Sequence, residues 1–334
     1  MLDTAVNPLA AHDLSRYDRI VIALSGGKDS IASTLAVIEA GAKAEQLLFF
    51  HHLVDGREGS TLFDWPTTDS YVEAFVKHVG GELVWSWRIG GLEQEMLRDN
   101  APTAGVRYER KGVVHQLDGA KNASLSTRRK FPQVSADLSV RWCSGSAKID
   151  VADRVLRNDP QFSGVRTLVV TGERAEESAN RSRYAPFEKH RADRREGKSK
   201  RHIDHIRPVL YWDEAKVWNI IRRHGIVPHP AYEAGFGRLS CRNCIFASAS
   251  QWATLDRYDP AGFQQIALYE MAFGLTIHRK HDVVTRARSA APFEAATAET
   301  MGRALAPHFE GPIAIDPAEW RLPPGAFSGH LGPT

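Results

Sequence analysis

Apolar positions along this chain fall into two alternating periods, and the sharpest change between them comes near residue 30. Residues 20–24 (IVIAL) form a short apolar run with β-branched members, the pattern of a strand covered on both faces. From Ser30 onward Ile31, Leu35 and Ile38 recur at helical spacing. Residues 46–51 (QLLFFH) read as a second strand, 69–78 as a helix with Tyr71, Val72 and Phe75 on one face, and 82–87 as a third strand. Further on, 147–156 is expected to be helical, 166–171 (RTLVVT) a buried strand, 206–210 a strand, and 212–224 a helix burying Val217, Trp218, Ile220 and Ile221. This alternation predicts an α/β fold with a doubly wound, mostly parallel sheet and ligands outside the carboxyl ends of its strands. Residues 260–273 and 291–304 read as helices, and the chain from 323 as a loose tail. The expected division is an N-terminal segment, 1–18, a main domain, 19–248, and a mainly helical C-terminal extension, 249–334.

The turn between the first strand and helix is where chemistry is expected. Ser25-Gly26-Gly27-Lys28-Asp29-Ser30 places two glycines before a helix start, where free N–H groups and the positive end of the helix dipole favour an anion. Lys28 adds a full charge, and Ser25 and Ser30 add hydroxyls. The spacing is neither that of a Walker loop nor that of a Rossmann loop. Past the second strand, His51 and His52 suit an ordinary strand end, and Asp55 is placed to meet ribose, adenine or, indirectly, Mg²⁺. Residues 90–132 show little periodicity and, from Arg107 to Lys130, many basic residues. They suit a solvated loop or a cover over substrate.

Charge alters the picture only locally. The chain of 334 residues carries a formal net charge of +3, yet residues 181–207 hold ten Lys or Arg against four Asp or Glu. Such a run is ordinarily a solvated surface. Beside a nucleotide site it would favour a polyanion, with Arg181, Arg183, Arg191, Arg194, Arg195, Lys198, Lys200 and Arg201 as its contacts.

Three cysteines make a disulfide framework improbable, and no N-terminal leader or membrane-length apolar run is seen, so a cytoplasmic protein with no membrane partner is expected. Cys241 and Cys244 form a CxxC, and Cys143 stands about a hundred residues earlier. Zinc completed by a histidine such as His229, a redox dithiol at the CxxC, and an iron–sulfur cluster on all three thiolates are the competing readings. The cluster uses every cysteine and is favoured.

The SGGKDS turn resembles the pyrophosphate loop of the N-type ATP pyrophosphatases (the PP-loop superfamily). Gly172-Glu173-Arg174-Ala175-Glu176-Glu177-Ser178, together with RPVLYWDEAKVW, IVPHPAY and GFGRLSCRNC, resembles the phosphoadenosine phosphosulfate reductase-like branch. The resemblance runs over roughly 19–280. It implies an adenine nucleotide alpha hydrolase-like fold, with ATP and Mg²⁺ as cofactors, Ser25 to Ser30 and Gly172 around the nucleotide, and Lys28, Asp29 and Arg174 as catalytic residues. One cysteine fewer than the adenylylsulfate reductases, and none after Cys244, makes reduction the less favoured chemistry. Three ligands with a pyrophosphate loop are similar to sulfurtransferases with a [4Fe-4S] cluster at Cys143, Cys241 and Cys244, zinc being the alternative. The nearest likeness is the ATP pyrophosphatase of DNA phosphorothioation systems of the DndC or SspD type. It implies DNA, a cysteine desulfurase and other phosphorothioation subunits as partners, and an oligomer is possible. A tRNA thiolase, a sulfonucleotide reductase-like protein and a non-catalytic nucleotide-binding regulator are the alternatives.

Overall fold

The computed structural model describes residues 8–119, 122–135, 137 and 139–328. Its frame is an eight-stranded sheet: β1 (Arg19–Ala23), β2 (Leu47–His52), β3 (Glu82–Arg88), β4 (Val106–Arg110), β5 (Val113–Leu117), β6 (Arg166–Val170), β7 (Phe187–Lys189) and β8 (His202–Ile206). The spatial order is β5-β4-β3-β2-β1-β6-β8-β7. β3, β2, β1, β6 and β8 run parallel, while β4, β5 and β7 are antiparallel additions at the two edges. The strand order reverses on either side of β1, so the crevice where such sheets bind ligands opens at its carboxyl end.

Alternate residues of β1 serve opposite faces. Ile20 and Ile22 pack with Leu35, Phe49, Phe75 and Trp218 on one side, whereas Val21 packs with Phe50, Val151 and Val155 on the other. Helices Lys28–Glu39, Thr68–Val79 and Glu214–Arg223 cover the first face, and helix Asp150–Asn158 the second. A separate apolar cluster joins Val54, Phe63, Trp65 and Trp142 to Trp252, Phe263 and Met301 of the C-terminal helices. The extension from residue 249 therefore shares a core with the segments carrying the cysteines.

Several elements differ from the sequence expectation. Residues 90–132 are not one loop, because Val106–Arg110 and Val113–Leu117 form a hairpin that widens the sheet. The strand expected at 206–210 lies at His202–Ile206. Pro208 has no N–H to give a ladder, and the Leu210 N–H donates to Arg207 O to close a turn. The helix expected from 147 begins as a π-turn over Gly145–Ile149 before becoming regular. The helix expected over 291–304 starts at Ala298, where the Thr297 side chain accepts the Thr300 N–H as an N-cap. The extension also contains helices Ala249–Tyr258 and Val283–Arg288.

Candidate nucleotide and cysteine site

The loop after β1 is tightly braced. Gly26 takes φ +77°, a left-handed conformation open to glycine, and Gly27 is the N-cap of helix Lys28–Glu39. Ser30 Oγ donates to Gly27 O at 2.8 Å and accepts the Ser25 N–H at 3.2 Å. The Gly27 N–H turns to Ser25 Oγ, and the Lys28 N–H donates to the Tyr232 hydroxyl at 3.0 Å. Gly172 approaches from the end of β6: a Cβ there would lie 2.9 Å from the carbonyl carbon and oxygen of Asp29.

Asp29 joins the charges. Its Oδ2 meets Lys28 Nζ at 3.0 Å and its Oδ1 meets Arg174 Nε at 2.6 Å, while Arg174 also pairs with Glu176. Burial works to raise the Asp29 pKa, but Lys28 and Arg174 outweigh it and hold the carboxyl below its ordinary value. Burial likewise opposes charge on Lys28, and Asp29, Tyr232 and Glu214 together outweigh it, so its pKa is raised. Lys28 and Arg174 are buried and neither lines the cavity beside the loop.

That cavity, of about 480 Å³, opens at the carboxyl ends of β1, β2, β6 and β8. The volume suits a bound small molecule or cofactor. Val21, Phe50, Leu156 and Val169 supply apolar wall, and Ser25 borders it from the loop. His51, His52, His190 and His205 also line it. Burial lowers the pKa of all four, to about 4 for His51 and about 3 for His52 and His205, so neutral imidazoles face the cavity at pH 7. His51 Nδ1 lies 2.8 Å from Leu24 O, and His52 Nδ1 2.8 Å from Ser86 Oγ, which orients both rings.

A second cavity, of about 200 Å³, adjoins the first and is lined by Cys143, Cys241 and Cys244. Ser240, Cys241 and Lys148 border both cavities. All three cysteines are free thiols. Burial pushes the Cys143 and Cys241 thiols up, and the neighbouring Cys244 adds to both shifts. Three sulfurs on one pocket are a donor set suited to iron or zinc. As placed, no group of three or more His, Cys, Asp or Glu among the described residues is gathered to hold a metal ion. His229 takes no part, being buried with Nε2 3.2 Å from Thr68 Oγ1.

Not every expected residue meets at this site. Asp55 does not border either cavity: its carboxylate accepts the Phe63 and Asp64 N–H groups and the Ser60 hydroxyl, bracing the loop after β2. Asp64 lines the first cavity instead. In the basic run, Arg195 is tied to Asp193 and Asp204, and buried Arg201 donates to Ala192 O and Arg157 O, so both hold the β7–β8 edge together. Arg191 pairs with Asp153 and borders the first cavity, and Arg181 pairs with Glu177 and borders the second. Arg183, Arg194, Lys198 and Lys200 are exposed. Lys148 carries no motif signal of its own, and only the fold brings it to the site; Tyr232 ends the IVPHPAY segment, yet its contact with the loop is not readable from that segment.

With this geometry in place, similarity to known proteins can be located on the chain. Residues 107–247 match the phosphoadenosine phosphosulfate reductase domain. The matched stretch holds Gly172, Arg174 and all three cysteines but begins well after the SGGKDS loop at residues 25–30; the match supports the PP-loop superfamily. A relative from Escherichia phage 186, described as an uncharacterized 37.8 kDa protein in the gpa 5' region, is 25% identical over 275 residues, 75% of this chain and 74% of its own. Among solved structures, Candida auris phosphoadenylyl-sulfate reductase in a phosphate complex aligns at 14% identity over 70% of this chain and 87% of its own, with TM-score 0.38. Candida glabrata FMN adenylyltransferase with FAD and inorganic pyrophosphate aligns at 13% identity over 66% of this chain, with TM-score 0.34. This chain spans about half, 53%, of that adenylyltransferase. No helix among the described residues is long and apolar enough to cross a membrane.

Proposed function

We propose that this chain is an ATP pyrophosphatase of the PP-loop type that activates a nucleic-acid phosphate for replacement of oxygen by sulfur. One observation supports this most: Ser240 and Cys241 border both the cavity beside the SGGKDS loop and the pocket of three thiols. Nucleotide chemistry and sulfur chemistry then share a wall.

In this reading ATP, with Mg²⁺ on its phosphates, sits with adenosine in the larger cavity and pyrophosphate against Ser25 to Ser30. An acceptor phosphate oxygen attacks the α phosphorus and pyrophosphate leaves, its charge stabilised by Lys28 and the N–H groups at the helix start. The acceptor phosphorus now carries AMP as leaving group, and hydrosulfide displaces it to leave a phosphorothioate. Asp29, gripped by Lys28 and Arg174, fixes the loop while this occurs. Cys143, Cys241 and Cys244 would hold a [4Fe-4S] cluster, which when bound offers an iron free to carry sulfur; zinc would make the pocket structural. DNA is the preferred acceptor, with tRNA the other acceptor on the same chemistry; a cysteine desulfurase supplies the sulfur as a persulfide, which an external dithiol reduces by two electrons to the hydrosulfide, itself becoming a disulfide.

The test is pyrophosphate release from ATP by anaerobically purified protein, alone and with DNA or tRNA, alongside iron, sulfide and zinc analysis. Release stimulated by DNA, with iron and sulfide lost on replacing any one cysteine by serine, is the expected result. Binding of ATP with no release under any condition would leave a nucleotide-binding regulator instead.

A further inference from the structure

The rim of the cysteine pocket is more basic than the chemistry inside it requires. Arg141, Arg181 and Arg238 all line the pocket, and they come from three separate segments: the approach to Cys143, the stretch after β6, and the turn before Cys241. Arg181 has a carboxylate partner in Glu177. Among the described residues Arg141 and Arg238 form no ion pair; Arg141 lies over the Phe246 ring at 5.8 Å. Glu173, the carboxylate on this wall, is turned to Arg207 and Thr171. The three guanidinium groups are near enough to interact, since Arg181 and Arg238 each oppose the charge on Arg141, whose pKa is lowered chiefly by burial.

Two further observations point to an occupant. Asn243, 1% exposed and lining the same pocket, donates its amide to Leu62 O, and among the described residues its Oδ1 has no partner, an acceptor that fits a base N–H and not a phosphate oxygen. Tyr184 borders both cavities with 39% of its surface open, stacked by Arg207 at 4.9 Å. A half-open aromatic ring beside unpaired guanidiniums is the pairing that single-stranded nucleic acid uses, bases on the ring and phosphates on the charges.

We propose that Arg141, Arg181 and Arg238, with Tyr184, form the seat for a single-stranded nucleic-acid phosphodiester, holding it at the mouth of the cysteine pocket. This rests on the acceptor reading above and sharpens it, because it moves the principal contact from the exposed β7–β8 run to the pocket rim. The run lies along the β7–β8 edge; the rim lies where the two cavities meet.

The experiment is fluorescence anisotropy of the full chain with a labelled single-stranded DNA and with an RNA of the same sequence, at several salt concentrations. The stronger of the two identifies the source of the phosphodiester. Arg141→Gln with Arg238→Gln should weaken binding about tenfold or more and shallow the slope of log affinity against log salt by about 1.4, at about 0.7 per lost phosphate contact on a single strand. Lys198→Gln with Lys200→Gln should change affinity less than threefold. Arg238→Gln alone, which breaks no hydrogen bond, guards against misfolding of the double variant and should shift the slope by about 0.7. Rim variants of native circular dichroism that keep affinity and slope overturn the proposal, as does a parent protein that binds neither strand. ATP affinity, measured on the parent, separates the two readings: rim-dependent strand binding without ATP binding sinks the pyrophosphatase and leaves the rim standing.

Discussion

Arg174 reaches Asp29 across 145 residues of chain, its Nε donating to Oδ1 at 2.6 Å. The contact ties the segment after β6 to the first turn of the helix after β1, so two neighbouring parallel strands are locked at their carboxyl ends. Arg174 is 3% exposed and Asp29 21%, which leaves little water to replace a lost partner.

Arg174→Gln should therefore cost stability as well as function. Removing Arg174 leaves Asp29 with Lys28 alone and takes the partner from Glu176, a loss of about 3 kcal/mol, the lower end for a broken buried pair. Urea unfolding should show a lower midpoint with an unchanged slope. An unaltered midpoint would mean that Lys28 alone satisfies Asp29.

Lys28→Ala should lower pyrophosphate release by about a hundredfold or more, the order found when a single charge-stabilising donor is removed. The fold should survive, because Asp29 keeps Arg174. Single-turnover release from ATP with the variant at native circular dichroism is the measurement, and release at the parent rate removes Lys28 from the chemistry.

Gly172→Ala should weaken ATP binding about tenfold. The added methyl would meet the Asp29 carbonyl at 2.9 Å and the Ser30 nitrogen at 3.2 Å, and the backbone it strikes cannot rotate away as a side chain would. Calorimetric titration with a non-hydrolysable ATP analogue reads the change directly. Parent affinity in the variant would show that the loop position tolerates displacement.

His229 makes the protein acid-sensitive. Burial lowers its pKa from 6.5 to about 3, so between those values the unfolded chain takes up a proton that the folded chain refuses. Stability is unaffected above pH 6.5 and falls as pH drops through the window, by up to about 1.4 kcal/mol per pH unit from this group. His229→Asn preserves an acceptor for the Ala231 N–H, which the ring now receives at 3.2 Å, and removes the titration. Denaturation at pH 7 and pH 5 should show a smaller acid loss in the variant than in the parent.

The central strands were legible because both faces of β1 and β2 are covered, which writes an unbroken apolar run into the sequence. The hairpin of β4 and β5 was not. Val106 and Tyr108 face the core and alternate with Arg107 and Glu109, and β5 is mostly exposed, so charge hid a period of two. In the site, the SGGKDS turn stands out by its two glycines and its lysine, whereas Asp55, Arg195 and Arg201, expected as ligand contacts, are engaged with backbone groups and neighbouring carboxylates. A carboxylate or guanidinium serves backbone groups as readily as a ligand, and residue type alone does not separate the two uses. Lys148 went unmarked for the opposite reason: a single lysine acquires significance only when the fold sets it between two cavities.

The stretch from Tyr232 to Cys244 lies against the loop and the cysteine pocket at once. The Tyr232 hydroxyl occupies the Lys28 N–H, Leu239 packs 3.4 Å from where a Cβ on Gly27 would be, and Cys241 follows two residues later. An anion entering the loop would compete with that hydroxyl for the same hydrogen, on a segment whose far end carries two of the three sulfurs. Thermodynamic reciprocity then runs in both directions: whatever a nucleotide does to the affinity of the cysteines for their own ligand, that ligand must do, by the same factor, to the affinity for the nucleotide.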